Sequence, residues 1–474
     1  MVSGELLAGD TTGGSGPALG FSGRPASGMW WSPAARPFAW LLVLEVAAFL
    51  GLLLVPRPLA FTAITLLIGG GILTCAHLFL PSREREPLLV FTGLALLLRL
   101  TTLVLVTYYR IAPGNPSGFL FPDSFGYDQV GQALAEHWRR GIPPRLEYQT
   151  AGYTIGYHYF VGFIYRFVGH APMVVRVLNV LLSASLVPLT FLLGRRLADA
   201  RAGMIAAALV ALWPPLILWS TQLLKDTMIV FLLLVAVLAW TSFAVRPRLS
   251  TIAMAILPAL PLVFVRTYMF LFWTIGLAIG LAAAALGRRK PMLAAMLAVL
   301  VLAAGIFGAL EYSALRFRNV DIWLGRVNAA GKGGEGSVFE DVSYRSFKDL
   351  FLFFPLGLLR FILTPIPWKT GGVYIHEALG SVCRYALMPF AIVGFAALWR
   401  SKRLMLSPIV IALGLAAALY AAAFRGGGPR HLTQFYPYFL ICAAVGLPRF
   451  RHWPLPLAMG AFGFLAVGGL LSLR

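Results

Sequence analysis

The chain has 474 residues, 59% of them hydrophobic and only 12% charged, with a formal net charge of +21 and a mean hydropathy of +0.81. A soluble domain carries about twice that charged fraction, so a soluble globule is excluded. The apolar residues fall in blocks of roughly 17 to 23, long enough to cross about 30 Å of hydrocarbon as helix, and they lack the period-two alternation of a β-barrel. The fold class is therefore an all-α polytopic membrane protein. Its basic residues lie in short clusters between apolar runs rather than along one helix or tail. That pattern is a topology signal and gives no reason to expect a nucleic-acid partner. Cys75, Cys383 and Cys442 sit inside apolar runs without metal or disulfide spacing and read as small packing residues.

Residues 1–37 are rich in Gly, Ser, Pro and Ala and lack the pattern of a signal peptide, which predicts a flexible cytoplasmic tail. Thirteen spans are predicted near 38–56, 59–80, 87–109, 173–194, 202–219, 227–245, 249–265, 268–286, 291–310, 380–398, 404–423, 431–448 and 454–473. The first two make an N-terminal hairpin over 38–86. A core follows over 87–310, with a first external loop at 110–172. Residues 311–379 form a second long external loop, and 380–474 carry the last helices.

The loops "GRRLADARAG", "VRPRLS", "GRRKP", "WRSKRL" and "PRFRHW" together hold thirteen Lys and Arg, and alternating spans put all five on one side, the cytoplasm. This parity requires that two apolar stretches do not cross. One is "YTIGYHYFVGFIYRFVG" at 153–169, rich in Tyr; the other is "LFLFFPLGLLRFILTPIP" at 350–367, broken by Pro355 and Pro365. Both suit helices in the outer interface. Glu45 and Arg99 are mid-span charges that could pair.

The first external loop contains "FLFPDSFGYDQVGQALAEHWRRG", with Asp123 behind a proline. The spacing of Tyr127, Val130, Leu134 and Trp138 predicts a helix with one apolar face, suited to the membrane surface. Asp123 reads either as the cap of a helix beginning near Ser124 or as a catalytic acid, and Asp128 as a solvated first-turn acid or, second to Asp123, as the base. In "QLLKDTMIVF", Lys225 and Asp226 stand where a span begins, as a capping ion pair or a functional one. "FRGGGPRHLTQF" sets Arg425, Arg430 and His431 around three glycines at an outer end, suited to an anion. Glu340 and Asp341, in a Gly-rich loop, read as solvated acids.

This order of parts resembles the GT-C membrane glycosyltransferases, in particular the family 39 branch with protein O-mannosyltransferases and lipid A aminoarabinose transferases. The likeness covers about 87–245, through the first-loop aspartate and "VRVLNVLLSASLVPLTFLLGRRLADARAGMIAAALVALWPPLILWSTQLLKD"; "ILTPIPW" and "RGGGPRHLTQFYPYF" resemble the group more weakly. The resemblance implies a GT-C-like bundle in which a sugar passes from a polyprenyl-phosphate donor, held in the membrane lipid, to an extracytoplasmic acceptor at the plasma membrane. It makes Asp123 the base and Asp226 the second acid. Lys225, Arg425, Arg430, His431 and Tyr127 would then serve the donor and its phosphate. A divalent ion, if used, would fall to Asp123 and Asp226, although the first loop shows Asp123 and Asp128 where the family has a closer acidic pair. The rival from another class is a transporter or flippase of lipid-linked saccharides, which would show internal repeats and midplane charges. No repeat is evident.

Overall fold

A computed structural model describes residues 57–78, 80–142, 156–245, 249–286, 343–363, 375–423 and 428–449, with isolated positions at 324, 325 and 328. The described residues are helical and contain no strand, only an isolated bridge between Ala112 and Asn115. In chain order the helices are α1 (Arg57–Leu78), α2 (Ser82–Arg110), α3 (Pro122–Arg139), α4 (Gly156–Val168), α5 (Pro172–Leu197), α6 (Ala200–Leu212), α7 (Pro214–Ser220), α8 (Asp226–Val245), α9 (Leu249–Ile256), α10 (Leu262–Val265), α11 (Thr267–Leu286), α12 (Phe347–Leu363), α13 (Ile375–Ala422) and α14 (Tyr436–Gly446). Short 3-10 helices cover Leu257–Ala259, Pro429–Phe435 and Leu447–Arg449.

Five of these helices are long and apolar enough to cross a membrane, and a sixth crossing is made if α6 and α7 count as one bent span. Five crossings, or six, fall short of the thirteen predicted spans, for identifiable reasons; the run at 268–286, for one, is α11, which falls among the shorter apolar helices over Thr267–Ala283. The runs at 38–56, 291–310 and 454–473 lie outside the described residues. The run at 249–265 is cut by Pro258 and Pro261 into α9, a 3-10 turn and α10, because each proline removes a backbone donor. The runs at 380–398 and 404–423 are the two arms of α13, which leaves helical geometry at Lys402. The run at 431–448 begins as a 3-10 helix and leaves α14 only 11 residues. Helix α4, described over 13 residues, reaches about 20 Å, less than the roughly 30 Å of hydrocarbon.

Helix α5 is the axis of the bundle and packs against α1, α2, α6 and α8. Two-thirds of its apolar window is buried, against about a fifth for α2. That contrast separates a helix wrapped by protein from one with a broad face left for lipid. The break between α6 and α7 bends the chain by 53° at Pro214. Arg99 of α2 closes this break. Its guanidinium donates to the carbonyls of Ala211 (3.0 Å) and Val210 (3.2 Å), to Ala95 (3.0 Å) and to the Ser183 hydroxyl (2.7 Å). Arg99 therefore serves backbone acceptors freed at a helix end, while Glu45, its predicted partner, lies outside the described residues.

Candidate functional site

The first-loop helix begins earlier than predicted and faces a different neighbour. Phe121 is its N-cap, Pro122 its first residue, and no side chain caps it. Asp123 is thus not a cap; it lies in the first turn with its side chain 44% exposed. The face with Tyr127 and Leu134 is buried against α4 rather than laid on lipid. Two glycines permit this contact. A Cβ on Gly131 would stand 2.5 Å from Val161 Cγ1, and one on Gly162 would stand 3.0 Å from the Gly131 carbonyl. Asp128 is not solvated either. It is buried, takes a 2.5 Å hydrogen bond from the Tyr165 hydroxyl and meets His170 Nε2 at 3.0 Å. That bond comes first in holding the His170 imidazole above its ordinary value, against the opposing effect of burial.

A second layer fixes the acids relative to each other. Arg176 of α5 donates to the carbonyls of Thr221 (2.6 Å) and Ser117 (2.8 Å). Asn179, one turn on, donates to the carbonyls of Gln222 (2.8 Å) and Leu224 (3.0 Å) and to the Tyr157 hydroxyl (3.1 Å). Gln222 in turn accepts from the Leu120 amide at 3.0 Å. The turn that presents Lys225 and Asp226 is thereby tied to the loop that presents Asp123. Sequence reasoning missed these residues. Their signal was the spacing of Arg176, Asn179 and Ser183 on one face of an otherwise apolar span, where polar side chains are costly and seldom idle.

The four acid and base candidates from distant segments meet at this end of the bundle. Asp123 is ion-paired with Arg430, which is 27% exposed. Asp226, 2% exposed at the start of α8, accepts from Arg266 at 2.8 Å, and Arg266 is itself 5% exposed. Lys225 lies with its ammonium 5.9 Å from the centre of the Tyr127 ring. Asp226 therefore pairs with Arg266 and not with its sequence neighbour. Arg266, in the "VFVRTYM" turn between α10 and α11, was not among the predicted site residues. It sits above Tyr268 at 5.8 Å, and the Tyr268 and Tyr420 hydroxyls are 2.7 Å apart. Gln434 donates to Tyr420 at 2.9 Å. Arg425 lies outside the described residues, as do Glu340 and Asp341.

The charges in this cluster are not those of free side chains. Burial first, then the positive charge of Arg266, brings the Lys225 ammonium down to about 7. Burial, with Arg430 and Arg266 adding to it, holds the His431 imidazole at about 3. His431 is therefore a neutral ring at neutral pH. Its Nδ1 accepts from the Gly428 amide at 2.9 Å, so the proton stands on Nε2. Arg430 works against burial, which lowers it, but Asp226 and Asp123 raise it further. The Tyr127 phenol is raised, chiefly by burial and then by Asp123. Two carboxylates thus balance two guanidiniums, and Lys225 supplies the variable charge.

This donor set does not fit a divalent ion. Both carboxylates already face guanidinium groups, and the described residues contain no group of three His, Cys, Asp or Glu side chains able to hold a metal. The arrangement suits an anion instead, approached by Lys225 and Arg430 and by the proton on His431 Nε2. Comparison with protein-family models and with curated proteins finds no match for the chain.

Proposed function

We propose that the protein is an integral-membrane glycosyltransferase that moves a sugar from a polyprenyl-phosphate donor to an acceptor hydroxyl on the extracytoplasmic side of the plasma membrane. The observation that carries this reading is the convergence of Asp123, Tyr127, Lys225, Asp226, Arg430 and His431, drawn from three separate segments, at one end of a helical bundle. It adds to the resemblance in motif order to the GT-C enzymes.

In this reading Asp123 is the base. One of its oxygens is held by Arg430, and the other has no hydrogen bond among the described residues. That second oxygen takes the proton from the acceptor hydroxyl as the hydroxyl oxygen bonds to the anomeric carbon, and the bond from that carbon to the phosphate oxygen breaks. Configuration inverts. The electron pair leaves on the polyprenyl phosphate, whose growing charge is met by Arg430 and Lys225. Asp226 orients Arg266 beneath them and keeps the cluster from carrying more positive charge than a phosphate can neutralise.

Among the described residues, the bent α6–α7 pair favours the rival transport reading, since broken spans hold cargo in many transporters. Here the carbonyls of Val210 and Ala211 at the break accept from Arg99, so these two are already engaged by the protein.

The test is donor titration in neutral detergent with wild type, Arg430→Ala and Arg430→Lys. Loss of Arg430 is expected to weaken polyprenyl-phosphate binding by about tenfold or more, and Lys to restore only part of it, because an ammonium lacks the planar two-donor fork. Equal affinity across the three proteins would remove the phosphate role. Asp123→Asn is expected to lower sugar transfer by about 10²–10⁴-fold with donor binding retained, and near-normal turnover would remove the base.

A further inference from the structure

The opposite end of the bundle carries a second polar site that sugar transfer does not use. Helix α5 runs from Pro172, beside the Asp128–His170 pair, to Leu197. Its 26 residues separate the two ends by about 39 Å. At the far end a cavity of about 340 Å³ opens between the start of α6 and the end of α14, lined among others by Asp199, Arg201, Pro448 and Arg449. That volume is in the range of small-molecule sites, which run from about 300 to 1,000 Å³.

The charges in the cavity are unevenly committed. Asp199 is the N-cap of α6, and its carboxylate accepts from the Ala202 amide at 2.8 Å. Arg449 turns one N–H back onto the Val445 carbonyl, a free acceptor at the end of α14, and keeps its other donors. Arg201 is exposed, and neither arginine is ion-paired with a carboxylate among the described residues. Two guanidiniums therefore face one space whose only acid among the described lining residues, Asp199, is engaged with backbone. Small apolar side chains, Ala198, Ala202, Ala444 and Val445, complete the lining. They lie where α5 ends and α6 begins and at the end of α14, which in the proposed topology is the depth of lipid headgroups.

We propose that this cavity binds the headgroup of an anionic phospholipid of the leaflet opposite the Asp123 site, with Arg201 and Arg449 clasping its phosphodiester. Guanidinium suits the task because it is weakly hydrated and offers paired donors to phosphate oxygens, and basic pockets between spans are recurrent headgroup sites. The Ala and Val wall takes the glycerol and the upper acyl chains, which a soluble phosphate lacks. This inference does not depend on the reaction proposed for the other end.

Native mass spectrometry of the full-length protein in detergent tests it, with dioleoylphosphatidylglycerol and dioleoylphosphatidylcholine as probes. Wild type is expected to hold one phosphatidylglycerol more tightly than phosphatidylcholine. Arg201→Ala/Arg449→Ala should weaken the anionic lipid by roughly thirtyfold, and each single Arg→Gln by roughly fivefold, at about one surface-charge contribution per arginine. Arg403→Ala, an exposed arginine at the Trp399 ring, should leave binding unchanged. Four results would overturn the proposal: equal affinity for the two lipids in wild type, unchanged affinity in both Gln variants, an equal loss in Arg403→Ala, or displacement of the lipid by an equal concentration of soluble glycerophosphoglycerol.

Discussion

Asp226 and Arg266 form the most enclosed ion pair among the described residues. Taking one partner away leaves a charge with neither water nor counterion, which typically costs about 3–5 kcal/mol. Arg266→Met should therefore lower the unfolding midpoint in detergent strongly. Asp226→Leu/Arg266→Met should recover most of the loss while still lacking transfer activity. A double variant as unstable as the single would show that the pair acts through its other contacts. Lys225 gives a prediction about pH. Its folded value, about 7, lies below the ordinary 10.5. Between those values the unfolded chain holds a proton that the folded chain has lost, so this group adds stability as pH rises through that window. Anion binding has the reverse sign. Below about pH 7 Lys225 is charged and affinity for a phosphodiester donor is at its plateau; above it, binding must take up a proton and weakens by as much as tenfold per unit. Lys225→Met should bind weakly with that pH dependence removed. A Met variant that keeps the wild-type pH profile would assign the titration to another group.

At the scale of elements, the α6–α7 break depends on one side chain from another helix. Arg99→Leu would leave the Ala211 carbonyl without a donor and the Val210 carbonyl with only the long 3.5 Å bond from the Trp213 amide, and thermal unfolding should register about 1–3 kcal/mol. An unchanged midpoint would mean that water or a rearranged helix end satisfies Val210 and Ala211. Elements of this kind mark where the sequence could be read and where it could not. The long apolar runs of α1, α2, α5 and α8 were legible within a few residues, because twenty apolar residues have few other uses. The internal breaks were harder. Pro188 lies inside an unbroken α5, whereas Pro214 opens α7 after the end of α6 at Leu212, and the carbonyls there accept from Arg99, 115 positions before Pro214 in the chain. The burial of α3 against α4 was also hidden. An apolar stripe says that a face is covered, but it cannot say whether lipid or protein covers it. Of the candidate site, Asp123, Lys225, Asp226 and Arg430 could be named separately, while Arg266 looked like one more loop arginine until Asp226 stood beside it.

For the whole molecule, the parity of the spans gives a direct expectation. In a cysteine-free background, Gln129→Cys in α3 should react with an impermeant maleimide from outside the cell, and Ser401→Cys, near the bend of α13, only after permeabilisation. Both positions are exposed. Labelling of both from the same side would end the assignment of α4 and α12 to the outer interface. The pairing of Asp123 with Arg430 has a consequence in time. A ribosome adds roughly 5–20 residues each second, so Asp123 leaves the translocation machinery roughly fifteen seconds to a minute before Arg430 exists. Arg266 arrives much sooner after Asp226. During synthesis the inner pair can close early, while the outer acid waits for the segment that carries Arg430. A nascent chain arrested before residue 429 should hold its membrane helices and yet leave the first loop open to protease. Release of the arrest should close that loop, so that the site matures after most of the bundle has inserted.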